Sequence, residues 1–240
     1  MGSEMCIRDR NNDDKLIHVD NLYKQREIYL SSANVYSILS NWDVSASYDL
    51  QWNKMNADMY GFVYPERFTN LLSVATALRL GKVKLQASGL ATFINDRVEE
   101  GPAPKARQIL TPAVFASYKP FEKQDFNVRA FYKRIFRMPT FNDLYYADMG
   151  NSKLNPEYVT QYDAGFAYTK TWENYLFYRF KIQADGYYNK VKDKIIAYPK
   201  GQQFRWTMLN LGKVEIKGID VSTETTVNPV KDLFVTLRVQ

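Results

Sequence analysis

The sequence holds one cysteine and one histidine among its 240 residues. A disulfide needs two cysteines, so Cys6 alone cannot build a disulfide framework. His18 stands outside any metal-ligand spacing such as His-x-x-x-His, so a metal site built on imidazole is not expected. The chemistry of this chain must therefore rest on other residue types.

Long hydrophobic runs are also absent. No stretch approaches the roughly 18 uninterrupted apolar residues of a membrane-spanning helix, so only a β-barrel could carry this chain across a bilayer. The mean hydropathy of -0.43 does not oppose a barrel, because barrel strands alternate apolar and polar residues. Residues 1–20 lack the apolar core of a signal peptide, and for an exported protein this predicts that the N-terminal part lies outside the sequence.

Two broad classes of function find no support. The net charge of +6 is spread along the chain without a basic block, so nucleic-acid binding is not expected. There is no nucleophile elbow, no glycine-rich phosphate loop and no acid-base pair in a strand-to-helix context. We therefore do not expect an enzyme, and we expect no cofactor.

What the sequence has in abundance is strict alternation. In the segments 126–133 and 178–189, apolar residues fall on one face and mostly polar residues on the other. The second segment keeps this pattern for about eleven residues, which is enough to cross a bilayer at a tilt. Aromatic residues make up 15% of the chain and include 18 tyrosines, a residue that suits a membrane interface.

The connections between alternating segments are short and long in turn, which is the asymmetry of an outer-membrane barrel. From residue 24 onward we predict about ten antiparallel strands in up-and-down order, with a bulge at Gly218. The short turns, predicted to face the periplasm, are 41–43, 81–82, 119–124, 171–175 and 228–232. The long loops, predicted to face the outside, are 55–69, 96–106, 137–157 and 199–213.

One block between two alternating segments is more specific. It reads Phe136-Arg137-Met138-Pro139-Thr140-Phe141-Asn142-Asp143-Leu144-Tyr145-Tyr146, followed by Gly150-Asn151 and Leu154-Asn155-Pro156-Glu157. Further on, Asn210-Leu211-Gly212 precedes Gly218-Ile219-Asp220-Val221. With the hairpin rhythm over residues 24–240, these motifs resemble those of the TonB-dependent outer-membrane receptors. The motif residues are Pro139, Leu144, Gly150, Asn151, Leu154, Pro156, Glu157 and Gly218.

The resemblance implies an all-β transmembrane barrel of about 22 strands in a bacterial outer membrane, closed by an N-terminal plug. It also implies three partners: outer-membrane lipid, a scarce ligand, and the TonB complex acting through the plug. The chain departs from the family in lacking the plug and TonB-interacting box, about half the strands, and a terminal aromatic residue at Gln240. We expect an internal fragment in which residues 11–240 are a partial barrel domain. Residues 1–10 show no strand pattern and resemble translated sequencing-adaptor read-through, so we expect a non-native leader.

Two loops hold the candidate ligand-contacting residues. For the first loop we favour the alternative of a rim that ends two strands and packs on neighbouring loops, with Pro139 ending the ladder. For Phe204-Arg205-Trp206, stacking on a ligand and an aromatic girdle at the membrane interface both stay open. The six candidates are Arg137, Asn142, Tyr145, Tyr146, Arg205 and Trp206.

Some charged residues have a functional and a structural interpretation. Glu157 could bind a cation, but we favour a turn that enters a strand. The inward-facing charges could line a substrate path, but we favour pairing with each other or with the plug. These inward-facing residues are Arg129, Lys133, Arg179, Lys181 and Asp185.

The leading hypothesis is an energy-coupled receptor for an iron complex, a cobalamin-like cofactor or an oligosaccharide. A passive porin-like outer-membrane barrel is one alternative. A soluble all-β carbohydrate-binding module with Trp and Tyr platforms is another. Dependence on detergent separates the last of these from the two membrane proteins.

Overall fold

The computed structural model describes residues 2–10, 20–101, 104–146, 149–172, 176–200, 205–230 and 233–240. Within them, eleven antiparallel strands form one sheet, and their order in the sheet follows the sequence. No helix in these ranges is long and apolar enough to span a membrane. The elements are β1 (Gly2–Arg10), β2 (Asp20–Leu39), β3 (Trp42–Ala57), β4 (Glu66–Leu80), β5 (Val83–Arg97), β6 (Arg107–Tyr118), β7 (Asp125–Arg137), α1 (Phe141–Tyr145), β8 (Glu157–Thr171), β9 (Phe177–Lys200), β10 (Arg205–Val230) and β11 (Leu233–Val239).

The sheet has two chemically different faces, because successive side chains of a strand point to opposite sides. The inner face carries buried polar residues such as Asn53, Arg67 and Thr92. The outer face exposes large apolar residues such as Leu72 and Val74. Polar inside and apolar outside is the arrangement of a barrel wall in contact with lipid. Further exposed apolar residues of the outer face are Leu110, Val114, Tyr162, Phe166, Ile219 and Val221.

Two tryptophans bound the apolar stretch of the outer face on β3. Trp42 and Trp52 are ten residues apart, which is about 33 Å along a strand. Each indole N–H has a polar acceptor: Trp42 Nε1 donates to Thr76 Oγ1 at 2.8 Å, and Trp52 Nε1 donates to Glu66 Oε1 at 2.6 Å. A strand tilt of about 40° makes their separation about 25 Å along a barrel axis, which matches the apolar band of outer-membrane barrels.

The connections fall into two groups at opposite ends of the sheet. At the turn end, two-residue turns at 40–41 and 81–82 join β2 to β3 and β4 to β5, and Gly81 supplies the left-handed backbone conformation with φ of 53°. At the loop end, longer segments at 58–65, 98–106 and 138–156 join β3 to β4, β5 to β6 and β7 to β8. The predicted rhythm of short and long connections is confirmed for these pairs.

The described ranges contain one strand more than the sequence predicted. Residues 2–10 form β1 and pair antiparallel with β2, so the prediction that this segment has no strand was wrong. A ladder uses backbone groups, so a segment without side-chain alternation can join it. The other ten strands were predicted, although the first of them begins at Asp20 rather than near Arg26.

Two predictions about β9 and β10 were also wrong. Within the predicted loop at 199–213, the described residues 199–200 and 205–213 are strand. Residues 193–200 and 205–212 form a hairpin that extends beyond Lys192, where β8 stops pairing. We call these residues the β9–β10 hairpin. Gly218 is not a bulge, because the ladder keeps one register from Leu211 to Thr226. The ring of Tyr187 instead lies over Gly218, in the space that a side chain there would need.

Candidate functional site: the loop between β7 and β8

Residues 138–156, called here the crossing loop, join β7 to β8 and contain α1. Thr140 caps the helix: its side chain accepts a hydrogen bond from Asp143 N at 3.1 Å, and Asp143 Oδ2 accepts one from Thr140 N at 2.9 Å. Arg137, the last residue of β7, donates to the same carboxylate at 2.8 Å. The helix start is thereby fixed to the strand end. The Thr-x-x-Asp spacing was the sequence signal for this helix, and the alternation analysis missed it.

A buried ion pair ties the crossing loop to strands that lie distant from it in the sheet. Arg67 on β4 and Asp96 on β5 are ladder partners, and Arg67 Nε and Nη2 donate to the two carboxylate oxygens at 2.6 and 2.7 Å. Their side chains are only 10% and 4% exposed. Arg67 Nη1 also donates to the Pro139 carbonyl at 2.7 Å, and the guanidinium lies 5.1 Å from the centre of the Phe141 ring. Sequence reasoning missed both charged residues, since each looked like any polar position of a strand.

An apolar cluster fills the space between the crossing loop and β2–β3. Phe141 packs with Tyr23, Met55 and Phe62, all of which are buried. The Tyr23 ring lies 4.7 Å from the Tyr146 ring, centre to centre, and 6.1 Å from the Phe62 ring. The loop that follows β7 therefore packs against strands four and five positions away along the sheet, which requires that it lie across the inner face.

Tyr145 of the crossing loop is half-buried and packs against the same cluster. Burial raises the pKa of its hydroxyl above the usual value of 10, and the nearby charge of Asp96 raises it further. The positive charge of Arg67 acts in the opposite direction. The neutral phenol is therefore the form that this site favours.

On its other side the crossing loop is attached to the β9–β10 hairpin. Leu144 and Leu154 pack with Ile195 and Met208 in a second cluster. Met208 N donates to the Met149 carbonyl at 2.9 Å, and Asn151 Nδ2 donates to the Met208 carbonyl at 2.9 Å. The crossing loop therefore forms hydrogen bonds with both the backbone N–H and the backbone carbonyl of Met208.

Gly150 allows the loop to close tightly on α1. A Cβ at this position would lie 2.7 Å from the Leu144 carbonyl atoms and from Tyr145 N, closer than real side chains come to backbone. Asn151 N, next in the chain, donates to the Asp143 carbonyl at 2.9 Å. The motif glycine is therefore required by packing and not by an unusual backbone angle.

Polar contacts close the end of the loop where β8 begins. Asn155 N donates to Asn210 Oδ1 at 2.8 Å, and Asn210 Nδ2 donates to the carbonyls of Asn155 and Asp193 at 3.0 and 2.7 Å. Glu157 Oε2 accepts a hydrogen bond from Ile195 N at 3.0 Å. Asp193 adopts a left-handed conformation with φ of 55°. These contacts attach the β9–β10 hairpin to the end of the crossing loop.

A cavity of about 310 Å³ lies between the crossing loop and the inner face. Its walls include Gln25, Glu27, Gln51, Asn53 and Thr92 from the strands. The hydroxyl of Thr92 is buried and makes no hydrogen bond to the described residues. Leu71, Ile94 and Phe141 add apolar surface to these polar walls.

Further toward the turn end, the inner face carries a second ion pair. Arg129 Nη2 donates to both carboxylate oxygens of Asp185, at 2.7 and 2.6 Å, across the intervening strand β8. Gly165 lies between them in the ladder, and the Asp185 carboxylate occupies the space above it. Two of the five inward-facing charges named from the sequence are therefore paired with each other.

The six ligand-contact candidates divide into groups. Arg137, Tyr145 and Tyr146 contact other parts of the crossing loop and its anchors, and Asn142 Oδ1 is buried without a partner among the described residues. Trp206 is 46% exposed on the β9–β10 hairpin. The side chain of Arg205, like residues 201–204, lies outside the described residues. Among the motif residues, Pro139, Leu144, Leu154 and Pro156 are buried.

Solved structures of transport proteins share this fold. The copper transporter OprC superposes with a TM-score of 0.73 at 12% identity, covering 95% of this chain and 40% of that one. The FrpB iron transporter of Neisseria meningitidis, in its apoprotein form, gives 0.67 at 10% identity, covering 95% and 38%. The chain thus has the fold of part of the β-barrel of these proteins.

The sequence itself gives the family. It matches the family model described as TonB dependent receptor-like, beta-barrel, over residues 8–237, so the chain belongs to the TonB-dependent receptor β-barrel family of the outer membrane. It is also 34% identical over 86 residues to the vitamin B12 transporter BtuB of Vibrio vulnificus, an alignment that covers 36% of this chain and 13% of that protein. BtuB of Photobacterium profundum is 31% identical over 94 residues. The chain therefore spans well under half the length of these relatives. Members of this family are transporters and not enzymes.

Proposed function

We propose that residues 20–240 are the central part of the barrel of an energy-coupled receptor that takes up a scarce ligand across the outer membrane. The observation that carries the proposal is the crossing loop, which is anchored on both sides of the inner face and supports the β9–β10 hairpin at the loop end. A rigid, aromatic-rich mouth of this kind suits the recognition of a large ligand better than free diffusion of small solutes.

Within this mouth, Trp206 supplies the surface on which a ligand ring or sugar would stack. Met208 contacts the crossing loop, and Trp206 is two residues away on the same strand, so both side chains lie on the same side of the hairpin. Trp206 keeps 46% of its surface exposed there. This position supports ligand contact over an interfacial girdle, which would require the outer face.

The remaining candidates act by positioning. Asn142, Tyr145 and Tyr146 belong to the crossing loop, and Arg137 ends β7 next to it. Arg137, Tyr145 and Tyr146 contact the loop or its anchors. We propose that they hold the loop in place. Energy coupling would come from the TonB complex through a plug region outside residues 1–240.

A cobalamin-like cofactor is the ligand to test first. Both curated relatives are vitamin B12 transporters, and their identity to this chain exceeds 30% over the aligned part. The structural likeness to iron and copper transporters is at 10–12% identity and supports the fold alone. Iron complexes and oligosaccharides remain the next ligands to test.

The test is uptake of cyanocobalamin by cells whose only corrinoid receptor is the full-length protein. We expect saturable accumulation at nanomolar concentration that stops when a protonophore collapses the proton gradient. A passive porin would give uptake that rises linearly with concentration and ignores the protonophore. Saturable, energy-dependent uptake of a ferric complex instead of cyanocobalamin would support an energy-coupled receptor whose ligand is an iron complex.

A further inference from the structure

The cavity between the crossing loop and the inner face, called here the loop cavity, is lined by buried polar side chains without partners. Asn53 and Thr69 are each 8% exposed, and Thr92 is 1% exposed. No hydrogen bond joins any of these three side chains to another described residue. Buried polar groups in folded proteins are nearly always hydrogen-bonded to protein, water or ligand. Three unpaired groups on one cavity therefore indicate a place where a polar molecule binds.

The register of the sheet sets the spacing of these three groups. All three lie on the inner face, on β3, β4 and β5 in turn. Asp96 is in the same ladder row as Asn53 and Arg67, and it is four residues from Thr92. With strands about 4.8 Å apart and a rise of about 3.4 Å per residue, the Cα atoms of Asn53 and Thr92 are about 17 Å apart. Thr69 lies between them, so a molecule about as long as a disaccharide can reach all three side chains.

The charged groups of the loop cavity disfavour an anionic ligand. Among the described residues that line the cavity, only Arg67 and Glu27 are charged. The guanidinium of Arg67 is already paired with Asp96, and Glu27 Oε1 accepts a hydrogen bond from Gln51 Nε2 at 2.8 Å. An anion would therefore meet a carboxylate and no free basic group, and like charges at close range repel. A neutral ligand avoids this cost.

The two sides of the loop cavity differ in chemistry. The strands supply amide and hydroxyl groups, each able both to donate and to accept a hydrogen bond. The crossing loop and the end of β7 supply the apolar side chains of Phe136, Met138 and Phe141. A sugar has both kinds of surface, because hydroxyl groups surround its ring and C–H groups cover its faces. The amide and hydroxyl residues of the strands are Gln25, Gln51, Asn53, Thr69 and Thr92.

We propose that the loop cavity binds a neutral, hydroxyl-rich molecule of disaccharide size. Its volume of about 310 Å³ lies at the lower end of the range for small-molecule sites, which is about 300–1,000 Å³. Among the described residues, none from the β9–β10 hairpin lines it, so the site is separate from the surface that Trp206 exposes. The proposal concerns binding, and it does not depend on which ligand the receptor transports.

The test is isothermal titration of the full-length receptor with maltose, lactose, sucrose and trehalose in turn, in a detergent without a sugar head group. We expect at least one of these sugars to bind with a Kd of about 1 mM or lower. A phosphate monoester of that sugar should bind about tenfold more weakly, because Glu27 repels it. The absence of binding by all four sugars would overturn the proposal. Equal binding of the phosphate ester would overturn the assignment to a neutral ligand.

Two isosteric substitutions locate the bound sugar. Thr69→Val and Thr92→Val each remove one hydrogen bond to the sugar, so affinity should fall about fivefold for each and about 30-fold for both together. Neither hydroxyl has a partner in the unliganded protein, so the double variant should unfold at no lower temperature than the unaltered receptor. Unchanged sugar affinity in the double variant would overturn the assignment to the loop cavity.

Thr111→Val is the matched control. Thr111 is 7% exposed on the inner face of β6, outside the loop cavity, and its hydroxyl donates to the Leu90 carbonyl at 3.3 Å. This variant should bind the sugar as the unaltered receptor does. A bound sugar should also slow proteolysis of the crossing loop, because it contacts both the strands and the loop, and the double variant should lose this protection. Equal loss of affinity in Thr111→Val and in the double variant would contradict a site at the loop cavity.

Discussion

At the scale of single residues, Trp206 is the exposed aromatic side chain beside the crossing loop. We predict that Trp206→Ala in the full-length receptor weakens ligand binding about tenfold, because a stacked aromatic contact contributes about 1–2 kcal/mol. Binding to purified receptor measures the effect, and heat-modifiable gel mobility checks that insertion is unchanged. Tyr198→Ala is the control, since Tyr198 is also exposed but is the ladder partner of Thr207, on the opposite side of the hairpin. Unchanged affinity for Trp206→Ala would show that Trp206 does not contact the ligand.

Arg67 and Asp96 are a buried pair whose members depend on each other. Arg67→Ala leaves the Asp96 carboxylate buried and unpaired, and should destabilise the folded receptor by about 3–5 kcal/mol. Replacing both by apolar residues, as Arg67→Met with Asp96→Leu, removes the unpaired charge and should recover most of that loss. The midpoint of urea unfolding in lipid vesicles measures both variants. A double variant that loses as much stability as Arg67→Ala, or more, would contradict this coupling.

Tyr145 gives the crossing loop a dependence on pH. Its pKa is raised in the folded protein, so folding favours the neutral phenol. The contribution of Tyr145 to the stability of the folded protein is fully present below the ordinary pKa of about 10. It is lost as the pH rises through the higher pKa of Tyr145 in the folded protein. We predict that proteolytic cleavage within the crossing loop accelerates above about pH 10, and that Tyr145→Phe removes most of this acceleration. The same acceleration in Tyr145→Phe would assign it to other groups.

At the scale of elements, the fit of the crossing loop depends on Gly150. Gly150→Ala places a methyl group 2.7 Å from backbone atoms of α1, so loop or helix must shift. We predict faster proteolysis of the loop and weaker ligand binding in the full-length receptor, by about tenfold, since a loop shift misplaces the hairpin. The control is Gly212→Ala on the β9–β10 hairpin, where an added Cβ meets no atom within 4 Å. Similar behaviour of the two variants would contradict a packing role for Gly150.

The elements also show what sequence reasoning could and could not predict. Ten strands were predicted because an alternation of two residues is visible in the sequence itself, and β1 was missed because residues 2–10 lack it. The path of the crossing loop was not predictable in this way. Its anchors join residues as distant in sequence as Arg67 and Pro139, and no local pattern encodes such a contact. The β9–β10 hairpin was missed because apolar residues stand next to each other in it, as Met208 and Leu209 do, so an alternation of two residues is not visible there.

At the scale of the whole molecule, the sheet is open. β1 and β11 each pair on one side only within the described ranges, and every residue of β11 is exposed. An open sheet in a bilayer leaves backbone groups on both edges without partners, each at a cost of several kcal/mol. The strand number also falls short of a family barrel of about 22 strands.

We therefore predict that residues 1–240 expressed alone do not form a heat-resistant barrel, whereas the complete receptor does. The measurement is gel mobility with and without boiling after refolding into lipid vesicles, together with protease protection of the strands. A monomer of residues 1–240 that shifts on boiling and resists protease would contradict the prediction, since it would have closed with eleven strands. A heat-sensitive dimer would mean that the edges of two copies can satisfy each other, because two eleven-stranded sheets together supply the strands of one closed barrel.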